Sequence, residues 1–139
     1  MKLSTKASTD ERAPRLNLVQ LQYESDYWKR LMVFTLGENI HLKNRLAEIL
    51  KNRFDEMLLD EVEAFHSRVI GVDDSVRLLR YEIAELDKLL IRERFEDGLI
   101  VKDLARKVKE IRSNVNYIEM AFIKLKTEFN NYVSENIDD

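Results

Sequence analysis

The sequence predicts an all-α protein, an elongated antiparallel bundle of three long helices. Three observations lead there. Only Gly37, Gly71, Gly98 and Pro14 could break regular structure in 139 residues, too few for the tight turns of a β-fold. Apolar residues recur at alternating steps of three and four, the spacing of one helix face. That spacing is interrupted clearly at only two places, and the segments between them match in length.

Residues 1–15, "MKLSTKASTDERAPR", carry mixed charge and no apolar stretch. They are expected to form a flexible polar tail rather than a secretory signal. Residues 16–135 are expected to form one domain, and 136–139 a polar C-terminal tail.

The first helix is expected from about residue 16 to 51. Asn17 can cap it, with Gln20 reaching back from the third position. Its seam is Leu21, Trp28, Met32, Thr35, Asn39, Leu42, Leu46 and Ile49. Thr35 and Asn39 are polar residues inside an apolar seam, the pattern of register-setting core positions. Gly37 falls opposite the seam and need not break the helix. Around Asn52 the seam changes phase, so a turn is expected within "KNRFD". Asn52 is placed at its left-handed position, and Asp55 and Glu56 at a new N-terminus.

The second helix is expected over 55–96. Its seam runs Leu58, Val62, Phe65, Val69, Val72, Val76, Leu79, Ile83, Leu86 and Leu90. Two signals conflict at "GVDDS", residues 71–75. Composition suggests a loop and hence a four-helix bundle broken at Gly71. The repeat keeps its phase there, and no Glu or Gln stands where a full capping box needs one. The phase decides for one continuous helix.

"FEDG" closes that helix, with Gly98 expected just past its end. The third helix is expected over 99–135, with the seam Val101, Leu104, Val108, Ile111, Val115, Ile118, Phe122, Leu125, Phe129 and Tyr132. At 1.5 Å per residue each helix is on the order of 55–60 Å long, so all three can cover one another's seams. Lys43, Arg45, Lys51 and Arg53 would lie beside Asp55, Glu56, Asp60, Glu61 and Glu63 across the first turn. The alternating seams and Trp28 in the first helix resemble spectrin-type triple-helical repeats in architecture.

Several function classes lose support. Cysteine is absent, which removes disulfides, thiol nucleophiles and thiolate metal sites and fits a cytoplasmic setting. The net charge of −3 disfavours nucleic acid and anionic membranes as partners. The basic cluster Lys102, Arg106, Lys107, Lys109 and Arg112 is spread around its helix and lacks interleaved aromatics.

Both histidines follow a glutamate by three residues: Glu38 and His41 in "ENIH", Glu63 and His66 in "EAFH". Glu-x-x-His on a helix is the ligand pair of di-metal carboxylate bundles. Here the pairs fall on the flanks of their helices, displaced in the same rotational sense, and the last seam holds no carboxylate. A metal enzyme built on these four residues is therefore the alternative reading, and no cofactor is expected.

The leading reading is a non-enzymatic interaction or assembly module. Leu59, Ile70 and Tyr81 recur every eleven residues, one stripe outside the second seam. Tyr117, Met120 and Ile123 stand outside the third seam within "NYIEMAFI". A helix apolar on several faces is normally covered on several faces. These six residues are the expected partner-binding set, and the partner a second copy or another helical protein.

Overall fold

The structure, a computed structural model, describes residues 18–52, 55–93 and 98–137, with backbone alone at 92, 93 and 98–102. The order is α1 (Leu18–Asn52), α2 (Glu56–Glu93) and α3 (Gly98–Asn136). The fold is a three-helix bundle. The expected capping residue Asn17, the tail 1–15, and Phe54 and residues 94–97 lie outside the described residues.

Helix α2 passes through Gly71–Ser75 without a break, as the phase predicts. Two details at the turns differ from expectation. Asn52 is the last residue of α1 and no described residue has positive φ, so Asn52 does not take the left-handed position expected of it. On the downstream side Asp55 caps the new helix. Asp55 Oδ1 accepts from the Met57 amide at 3.0 Å, and its carbonyl accepts from the Leu59 amide at 2.9 Å, an N-cap. Gly98 opens α3 rather than terminating α2.

The chain divides into two compact units, each drawing one segment from every helix. One contains residues up to Arg30 with Leu79–Val115; the other contains Leu31–Leu78 with Asn116 onward. In the first unit the core is built from Leu21, Trp28, Leu79, Ile83, Leu86, Leu90, Leu104, Val108, Ile111 and Val115. In the second it comprises Met32, Leu42, Leu46, Ile49, Val62, Val69, Val72, Val76, Ile118, Phe122, Leu125, Phe129 and Val133. These are the seam residues, with Val133 added. Leu58, Phe65 and Tyr132 are half-buried at the seam edge.

Each unit also contains a polar layer built on a buried α1 side chain, and the two layers have one design. In the first unit the buried Ser25 donates to Asp87 Oδ1 at 2.7 Å, and Lys29 pairs with Asp87 Oδ2. Arg112 grips both oxygens of Glu24 at 2.7 and 2.8 Å. In the second, the buried Asn39 Nδ2 donates to Asp73 Oδ1 at 2.8 Å, and Lys43 pairs with Asp73 Oδ2. Lys126 Nζ donates to Glu38 at 2.6 Å. Every counterpart is displaced by fourteen residues, two heptads, on its own helix.

The layers also report helix direction. The α1–α3 pairs keep a separation of 88 residues in both layers, so those helices run parallel. The α1–α2 separation falls from 62 to 34 as α1 advances, so that pair is antiparallel. Sequence charge placed Lys43 beside the acidic start of α2; it reaches the buried Asp73 further along that helix. Asp73 is 2% exposed, so its charge needs both donors.

Three substitutions test this packing. Asp73→Ala leaves Lys43 without its acceptor and Asn39 Nδ2 with only the Val69 carbonyl at 3.3 Å, and should lower unfolding free energy by roughly 2–4 kcal/mol in urea titration. Asp74→Ala next door breaks only an exposed Arg77 pair and should change it by less than about 0.5 kcal/mol. Gly37 sits in mid-helix with nothing within 4 Å of where a Cβ would stand. Gly37→Ala should therefore raise stability by about 0.5–1 kcal/mol.

Candidate interaction surface

The six apolar residues singled out from sequence are all exposed, from 38% at Leu59 and Ile70 to 71% at Tyr117. They do not gather into one patch. Tyr81 belongs to the first unit and the other five to the second. Within the second unit, Ile70 precedes the α1-facing Asp73 by three residues, so it leans toward α1. Ile123 precedes Lys126, which reaches α1, and leans toward α1 from α3. Tyr117 lies about 120° around α3 from Ile123, on the side of α2, and Met120 points away between them.

Tyr117 borders a groove of about 350 Å³ between α2 and α3. Gly71, Ser75 and Ala121 form its recessed part, beside Val72, Ile118 and Leu125, with Arg68 and Lys124 on its rim. The recess exists because small residues occupy the outer edges of both helices at one level. Gly71 has nothing within 4 Å of its missing Cβ, so the packing of this chain does not require glycine there. Leu78, 64% exposed, stands seven residues after Gly71 and three after Ser75, on the same face. Sequence reading passed over Leu78 and the recess.

One end of this face is stiffened by aromatics. Phe65 meets Phe129 edge-on at 5.3 Å and Tyr132 at 5.2 Å between ring centroids. The Arg68 guanidinium lies 5.6 Å above the Phe65 ring and pairs with Glu128. The Tyr132 hydroxyl is buried and has no partner at hydrogen-bond geometry. Burial first, then the nearby Glu61 carboxylate, pushes its pKa up to about 12.

The glutamate-histidine pairs take other roles. Lys126 holds Glu38, and its hydrogen bond lowers that carboxyl's pKa. His41 lines a second groove, of about 560 Å³ between α1 and α3, with Arg45, Lys126 and Asn130. Glu63 and His66 are exposed on α2. Among the described residues, no three His, Asp or Glu side chains come together to hold a metal ion. No described helix is long and apolar enough to cross a membrane.

No protein-family model, curated protein or solved structure matches this chain.

The raised Tyr132 pKa gives a pH dependence with a defined sign. The folded state favours the neutral phenol, so the unfolded chain ionises first, near pH 10. The Tyr132 contribution is intact below pH 10 and is lost as pH rises through about 12. Urea midpoints of the parent should fall over this window more steeply than those of Tyr132→Phe. Parallel curves would show that Tyr132 makes no such contribution.

Proposed function

We propose that this chain is a non-enzymatic helical-bundle module that self-associates through apolar side chains outside its seams. The observation that carries this reading is on α3. Tyr117, Met120 and Ile123 are all more than half exposed within two turns of one helix. Their seam neighbours Ile118, Phe122 and Leu125 already fill the core, so these three are surplus to it. Leu59, Ile70 and Tyr81 supply similar surface on α2. Large apolar side chains left exposed beside a completed core are normally covered by a partner. Charges flanking the apolar positions would set the orientation of the two partners.

Light scattering coupled to size exclusion tests the reading on the full chain. The expected mass is a multiple of 16.5 kDa at high micromolar concentration. A monomer throughout that range overturns self-association. The double substitution Tyr117→Ser with Met120→Ser should raise the dissociation constant at least about tenfold, since each buried apolar side chain contributes about 1.5–3 kcal/mol.

A further inference from the structure

We propose that a second copy of this chain docks across the α2–α3 groove of the second unit, about a two-fold axis level with Ser75 and Ala121. This rests on the self-association reading and assigns it a face and a geometry.

The argument begins with register. Phe65 against Phe129 and Arg68 against Glu128 show α2 and α3 running antiparallel. Seven residues on from Arg68, and seven back from Glu128, that register brings Ser75 level with Ala121. Both line the groove. The same face presents two protrusions, Leu78 and Tyr117, and two places that could receive them, the bare Gly71 and the rim cation Lys124. Lys124 has no ion-pair partner among the described residues.

A two-fold interface places residue i on j and j on i, so a face that pairs with itself must hold each protrusion and its receiver at equal distances from the axis. This face does so on both helices at once. Gly71 and Leu78 lie on either side of Ser75 with their midpoint next to it. Tyr117 and Lys124 lie on either side of Ala121 with their midpoint next to it. One axis therefore seats Leu78 of the second copy over Gly71 and the ring of its Tyr117 over Lys124. The first contact fills the recess with an apolar side chain. The second gives the unpaired ammonium an aromatic face. An unrelated partner would not need these spacings to agree.

Glycine at 71 then has a reason. A mid-helix glycine costs about 1 kcal/mol relative to alanine. No neighbour within the chain needs that space, and an incoming leucine does.

The test uses the full chain. Gly71→Gln fills the recess with a polar helix-former at a position where a Cβ meets nothing. Its helical circular dichroism and thermal midpoint should match or exceed the parent's, while its dimer dissociation constant rises at least tenfold. The parent has no cysteine, so a single introduced thiol reports on geometry. Ser75→Cys, placed beside the axis, should form a disulfide-linked dimer under mild oxidation. Asn44→Cys, exposed on α1, should not. A monomeric parent overturns both self-association and this docking geometry. A dimeric parent whose affinity is unchanged by Gly71→Gln, and whose Ser75→Cys form does not cross-link, overturns the groove alone and leaves self-association through another face.

Discussion

Two carboxylates on α2 constrain how α1 and α2 meet. Apolar seams with steps of three and four pack almost as well after one helix slides past another by a heptad, because apolar contact is non-directional. Asp73 and Asp87 do not tolerate the slide. Each takes one hydrogen bond from a buried α1 side chain and one ion pair from a lysine four residues further on. Slipping by one heptad would set both carboxylates against apolar seam positions, and for the buried Asp73 an unpaired charge there is prohibitive. The polar layers thus act mainly against wrong registers, and their net contribution to stability is secondary. Asn39 Oδ1 is buried and takes no donor among the described residues.

The seams were legible because burial and periodicity are the same fact seen twice. The described positions of all three seams are buried or at the seam edge, and α2 keeps its phase through residues that resemble a loop. Composition misled at Asp73, where an acidic run suggested a helix cap. The carboxylate is instead a buried acceptor for a neighbouring helix, a role that exists only once the chain is folded. Ser25 was passed over for a similar reason. It fills the gap between Leu21 and Trp28 in the first seam, but a lone serine carries no apolar signal. The repetition of Glu-Ser/Asn-x-x-x-Lys at residues 24–29 and 38–43 was the available clue, together with Asp at 73 and 87 and a base at 112 and 126.

The exposed set was legible by elimination, since residues outside a seam face outward. Its grouping was not. Whether Tyr117 and Ile123 share a surface depends on which helix lies on each side of α3, and a single helical wheel does not contain that. The groove at Gly71 was less legible still. It needs small residues on two helices at one level, and the level depends on the antiparallel register of α2 and α3.

Set beside each other, the core and the surface depart from simple hydrophobic partition in opposite directions. Ser25, Thr35, Asn39 and Asp73 are buried, while Tyr117, Met120, Leu78 and Ile123 face outward. Stability of the single chain alone would favour exchanging the two sets and replacing both mid-helix glycines. The inward departures have a cause in register. Nothing in the structure explains Gly37. The outward ones have no cause within one copy, because each of those side chains has seam neighbours that already complete the core. Local rules broken without gain inside a fold mark the places where function is to be sought. In this chain four such breaks share one face: a glycine that no neighbour requires, a cation without a counter-charge among the described residues, and two large apolar side chains, Leu78 and Tyr117, spaced to meet them.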